Sequence, residues 1–126
     1  MTTNQNIKCF VIEGSKIILQ DIVNKIGECG CVVLEKASNG REALAKLQLI
    51  SATPDLVLLD LILPDQDGLE LVPAIFKLFP EVKIIATTSM AKLDIAKTAF
   101  STGVHEYLVK PFNEQKLLGI LSTLFP

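Results

Sequence analysis

Along the 126 residues of this chain, short apolar runs alternate with longer stretches in which apolar positions recur every three or four residues. The short runs are KCFVI at 8–12, VVLEKA at 32–37, DLVLL at 55–59, KIIAT at 83–87 and HEYLV at 105–109. Runs of this length, rich in Val, Ile and Leu, read as strands. Near-continuous apolarity, not strict alternation, suits parallel strands covered on both faces. The longer stretches predict helices over 15–29, 41–50, 69–79, 91–102 and 113–124. Punctuation agrees with these limits: Asn39-Gly40 precedes the second helix, Gly68 opens the third, Gly103 closes the fourth and Asn113 stands where the fifth needs an N-cap.

Regular alternation of strand and helix predicts an α/β fold built from repeated βα units. With no repeat, low-complexity tract or linker, the reading is one domain over residues 1–126. In an open parallel sheet the carboxyl ends of the strands share one edge, where ligands bind. Four strands run into a polar residue there: Glu13, Asp60, Thr88 and Lys110. If the order is 2-1-3-4-5, as in a flavodoxin-like (βα)5 doubly wound sheet, Glu13 and Thr88 flank Asp60 on strands about 4.8 Å away. Lys110, two strands off, reaches in by its stem. Asp60 is the telling residue, because LVLLDLILPDQDG sets its carboxylate in so apolar a run that burying it unpaired would cost several kcal/mol. Two acids, a hydroxyl and an ammonium around one point suit a divalent cation and a phosphoryl group.

Composition narrows the picture. Apolar residues make up 49 % of the chain without any Trp, so the core is expected from Ile, Leu, Val and Ala. A net charge of −2 gives no basic stripe for a phosphate backbone, so no direct nucleic-acid binding is expected. The opening MTTNQNIKCFVIEGSK lacks the basic and apolar regions of a signal peptide, and no run nears the roughly 18 residues of a membrane span. A cytoplasmic location without membrane contact is the expectation. Cys9, Cys29 and Cys31 have neither CxxC spacing nor a nearby His, and read as reduced structural thiols. The lone His105, at the far end of its strand from the polar edge, reads as structural. Asp65-Gln66-Asp67-Gly68 fails the calcium-loop spacing and reads as loop and helix start, and EGSK at 13–16 lacks the flanking glycines of a P-loop.

Taken together, LVLLDLILPDQDG, ASNGREALAKL at the second helix, IIATTS at the fourth strand and YLVKPF after the fifth resemble the receiver domain of two-component response regulators, of the CheY-like type. The resemblance covers nearly the whole chain. It implies a signalling switch, not an independent enzyme, in which Asp60 takes a phosphoryl group from a histidine kinase or phosphotransfer protein with Mg²⁺ as cofactor. It further implies the Ile62 backbone carbonyl, Asp60 and Glu13 as metal ligands, Thr88 and Lys110 as partners of the phosphoryl oxygens, and Tyr107 as the aromatic that tracks the switch. A cis Lys110-Pro111 bond is implied as well, with a downstream protein or output domain as the recipient of the signal.

One position departs from the family pattern. The first strand normally ends in two adjacent acids, whereas here the pair is Glu13-Gly14, and glycine replaces the usual direct Mg²⁺ ligand. Either metal binding is weakened, with Glu13 reaching inward, or the chain is a phosphate-independent pseudo-receiver acting as a protein–protein interaction module.

Overall fold

A computed structural model describes residues 6–126; residues 1–5, which include part of the segment read for a signal peptide and the start of the predicted domain, lie outside the described residues. Five strands, β1 (Lys8–Ile12), β2 (Val32–Ala37), β3 (Leu56–Asp60), β4 (Lys83–Thr88) and β5 (Glu106–Val109), alternate with α1 (Lys16–Glu28), α2 (Gly40–Leu49), α3 (Val72–Leu78), α4 (Leu93–Ser101) and α5 (Glu114–Leu124). The sheet order is β2-β1-β3-β4-β5, with all four pairings parallel. This is the predicted flavodoxin-like order.

Side chains of a strand point alternately to its two faces, and here they sort into two cores. Phe10, Ile12, Val57, Leu59, Ile84 and Ala86 join Ala43 and Leu47 of α2, Val72 and Ile75 of α3 and Ala99 of α4. Cys9, Val11, Leu56, Leu58 and Ile85 join Leu19, Ile22 and Ile26 of α1 with Leu117, Ile120 and Leu121 of α5. Every residue of β3 is buried, which explains why its run shows no alternation. All three cysteines are free and buried, and burial pushes the Cys31 thiol up to about 11.

Helix starts follow side-chain caps: Ser15, Asn39 and Asn113 each accept the amide three residues on, from Ile18, Glu42 and Lys116. Two stretches depart from the predicted spans. The third helical stretch is a 3-10 turn, Gly68–Leu71, capped by Asp67 and Glu70, followed by α3 with Pro73 in its first turn; proline lacks the amide needed inside one continuous helix. The fourth begins at Leu93, two residues later than predicted, after an extended Lys92 that makes no side-chain cap.

His105 sits at the sheet end remote from the polar edge. Its Nδ1 accepts the Ile84 amide at 3.1 Å, and its ring meets Phe76 edge-on at 6.0 Å. Burial, then the Lys83 charge, lowers its pKa from the ordinary value. A protonated ring would set a donor against the Ile84 N–H. The stabilising contact is therefore present above about pH 6.5, the ordinary unfolded value, and is lost as pH falls through the lowered folded value. The urea midpoint is expected to drop on acidification from pH 7, and to drop less in His105→Asn, whose amide oxygen can still accept. Parallel pH profiles of the two proteins would contradict this role.

Candidate functional site

Chain order reverses direction between β1 and β3, leaving a crevice beyond their carboxyl ends. A cleft of about 400 Å³ lies there, lined by Glu13, Gly14, Asp60, Ile62, Thr88 and Lys110 among others. The four polar side chains expected at this edge thus share one cavity. Asp60 and Thr88 close their strands from within, as the last residues of β3 and β4. Each predicted run was one residue short at that end.

Asp60 is 4 % exposed. Its Oδ1 accepts the Ile62 amide at 3.1 Å and lies 3.3 Å from Lys110 Nζ, while Oδ2 accepts the Gly14 amide at 3.0 Å. Glu13, equally buried, accepts Lys110 Nζ at 2.7 Å on Oε1 and the Ser15 amide at 3.0 Å on Oε2. Burial raises the Glu13 pKa from its ordinary value, and the Lys110 bond opposes the rise. One ammonium thus faces two buried acids. Thr88 Oγ1 accepts the Met90 amide at 3.1 Å, which leaves its hydroxyl proton free to donate. Tyr107 OH donates to the Met90 carbonyl, so the Met90 backbone links Tyr107 to Thr88. The Lys110-Pro111 bond is cis. Ser89 also lines the cleft, and with the Gly14 and Ser15 amides it is a part that residue types alone did not reveal.

Gly14 stands between the oxygens that matter. A Cβ placed on it would lie 3.3 Å from the Ile62 carbonyl oxygen, 3.4 Å from Asp60 Oδ2 and 3.2 Å from Pro64 Cδ. The carboxylate and the carbonyl therefore converge on the space that a side chain at position 14 would enter. Among the described residues, the glycines with left-handed φ are Gly30 and Gly103, so the backbone at 14 is open to other residues. Among the described residues, too, no three His, Cys, Asp or Glu side chains cluster as a ready-made metal site, and no helix is long and apolar enough to cross a membrane.

Removing the shared cation should be costly in a particular way. Breaking a buried ion pair by deleting one partner costs about 3–5 kcal/mol when the site is dry, and less here because the cleft opens to water. In Lys110→Ala, Glu13 loses its pKa-lowering partner, so its folded value rises further above the unfolded one. The variant should be destabilised at pH 7 and recover relative to wild type as pH falls through that raised folded value toward the ordinary carboxylate one, where the folded state takes up the proton. Urea midpoints for both proteins across that range test it; a constant gap would show that the ion pair is not the cause.

The model of the response regulator receiver domain family matches residues 9–122. The chain is 31 % identical over 107 residues to the chemotaxis protein CheY of Thermotoga maritima, covering 85 % of each. It is 32 % identical over 119 residues to the transcriptional regulatory protein YesN of Bacillus subtilis, covering 93 % of this chain but only 32 % of that longer regulator. Among solved structures it is similar, with TM-score 0.82 and 26 % identity over 95 % of this chain and 68 % of the other, to a response regulator from Burkholderia pseudomallei with a phosphorylated aspartic acid and a calcium ion. The chain belongs to the response regulator receiver domain family of two-component signalling.

Proposed function

We propose that this receiver domain is a phosphorylation-dependent switch that accepts a phosphoryl group on Asp60 from a histidine kinase or a phosphotransfer protein. The observation that carries this reading is the Asp60 carboxylate at the cleft floor, held by two backbone amides and facing Lys110. A carboxylate oxygen attacks phosphorus, the P–N bond of the donor phosphohistidine breaks, and its electron pair stays on the imidazole nitrogen. Thr88 then donates its free hydroxyl proton to one phosphoryl oxygen, and Lys110 turns from Glu13 to another.

Mg²⁺ takes oxygen ligands and is commonly held by one or two carboxylates with several waters. Asp60 and the Ile62 carbonyl, converging beside Gly14, fit that chemistry and would hold the ion; Glu13 supplies a further carboxylate once Lys110 has left it. The ion would supply charge neutralisation on the transferring group. The new charge redistributes two arrangements of the Met90 segment and Tyr107, and so of the face formed by α4, β5 and α5, where a downstream protein or output domain would bind.

Gly14, standing where the family pattern has a second acid, favours a second reading as a phosphate-independent interaction module. Incubation with acetyl phosphate and Mg²⁺, followed by intact mass, separates the two. One added phosphoryl group per chain is expected; no gain at any Mg²⁺ concentration would favour the second.

The phosphorylated state should be long-lived. Ile62 and Met90, two residues beyond Asp60 and Thr88, are bulky and apolar and border a groove of about 510 Å³ next to the cleft. Neither can orient an attacking water, and both screen the phosphorus. Asn at 62 together with Glu at 90 should speed loss of the phosphorylated mass by about tenfold or more, because a positioned general base contributes about 10²–10⁴-fold. An unchanged decay would refute the screening.

A further inference from the structure

We propose that Asp65 is a positioning residue for the chemistry at Asp60: its carboxylate bolts the loop after β3 to the N-terminus of α2 and so sets where Ile62 presents its carbonyl. This rests on the reading of Asp60 as phosphoacceptor.

The loop is a narrow strap. At its base Leu61 N donates to Thr87 O at 2.9 Å and Gly68 N to Leu61 O at 2.8 Å. Ile62 and Asp67 form an antiparallel bridge, and Leu63 N reaches Gln66 O at 3.2 Å, which turns the chain through Pro64 and Asp65 at the tip. Nothing in that ladder fixes the tip's direction. Asp65 does: Oδ1 accepts the Gly40 amide at 2.8 Å and Oδ2 the Arg41 amide at 3.0 Å, across 25 and 24 positions of sequence.

The first turn of a helix has amides without intrahelical partners and carries positive potential, so a carboxylate there makes charge-assisted bonds. The Asn39 side chain caps its own helix by accepting the Glu42 amide; the Gly40 and Arg41 amides are met from the strap. These two bonds hold the Asp65 carboxyl below its ordinary pKa although the residue is exposed. A second contact lies at the same joint: a Cβ on Gly40 would fall 2.3 Å from Gln66 Nε2, so glycine lets strap and helix close on each other. Asp67, two residues on, does local work instead, capping the 3-10 turn through the Leu69 amide.

The bolted strap carries both contacts that matter at the site. The Ile62 amide fixes Asp60 Oδ1, and Ile62 O and Pro64 lean over Gly14. With one inner-sphere acid already missing at 14, a fixed carbonyl counts for more. Freed at the tip, the strap would still fold from its base, but Ile62 would sample several positions and the oxygen pair would lose its preorganisation.

The test is a Mg²⁺ titration by NMR of wild type, Asp65→Ala and Asp65→Asn, with the Gly40 and Arg41 amides reporting the bolt and those of Gly14 and Ile62 reporting the ion. Loss of a partner outside the direct ligands commonly weakens a metal about 10- to 100-fold, so Asp65→Ala should bind Mg²⁺ about tenfold more weakly. Its Mg²⁺ requirement for uptake from acetyl phosphate should rise in step, with the rate at saturating Mg²⁺ nearly unchanged. Asp65→Asn, which keeps an acceptor oxygen, should recover part of the affinity. A merely structural role would lower melting temperatures and leave native-state affinity alone. The inference is overturned if Asp65→Ala loses the Gly40 and Arg41 signatures yet binds Mg²⁺ like wild type, or if wild type binds none. Failure of phosphoryl uptake by a wild type that does bind Mg²⁺ would refute the phosphoacceptor reading instead, with the titration still deciding the part played by Asp65.

Discussion

Asp60→Asn should take up no phosphoryl group from acetyl phosphate or a phosphorylated donor while keeping its fold. An amide cannot attack phosphorus as a carboxylate does, and it is a poorer ligand for Mg²⁺. The geometry adds a second penalty. In wild type both carboxylate oxygens accept, Oδ2 from Gly14 N and Oδ1 from Ile62 N with Lys110 close by. Either orientation of the Asn amide turns its NH₂ toward one of those donors, so the side chain must move or leave a backbone amide unpaired. Glu13 keeps its 2.7 Å bond to Lys110, now as a simple pair, so the remaining charges become balanced. Intact mass after incubation reads the result. Uptake at wild-type stoichiometry would place the acceptor on another residue.

Gly14→Asp should tighten Mg²⁺ by about tenfold or more and speed phosphorylation of Asp60. The scale follows from partners outside the direct ligands, whose loss alone costs about 10- to 100-fold; a restored inner-sphere carboxylate should matter at least as much. The backbone at 14 does not demand glycine, since its φ lies outside the left-handed region. Space is tighter: contacts of 3.2 to 3.4 Å await a new Cβ, the shortest of them to Pro64, so the strap must give by a few tenths of an ångström. The same closeness aims the new carboxylate at Asp60 Oδ2 and the Ile62 carbonyl. Without metal it would add a third acid to a cleft with one ammonium, so the metal-free variant should be less stable and gain more from Mg²⁺ than wild type does. Calorimetric titration of both proteins decides the matter. Equal affinities would mean that Glu13 already serves as the ligand, and no binding by either would favour the interaction module.

The sheet and its order were legible because each buried strand is an apolar run and each helix an amphipathic period, both of them local signals. The convergence of Asp60, Thr88 and Lys110 on one cleft was legible because they end such runs, and parallel topology brings strand ends together whatever lies between them. Sequence could not show the contacts that orient these groups. That Gly14 and Ile62 give their amides to Asp60 depends on backbone direction, which residue type does not encode. The reach of Asp65 to Gly40 spans 25 positions, and the tetrapeptide containing it reads equally well as a solvated turn. Pro73 was visible, but whether it opens a helix or breaks one turned on the capping of the 3-10 turn before it by Asp67 and Glu70.

The phosphoryl group is expected to reside on Asp60, and chemical mapping reads this most directly. Borohydride reduces an acyl phosphate to the primary alcohol, turning an aspartyl phosphate into homoserine, and peptide mass spectrometry then locates the change. After treatment with acetyl phosphate and Mg²⁺, homoserine is expected at position 60 alone, and nowhere when the phosphodonor is omitted. Homoserine at another position, or none in protein that has gained the phosphoryl mass, would contradict the account.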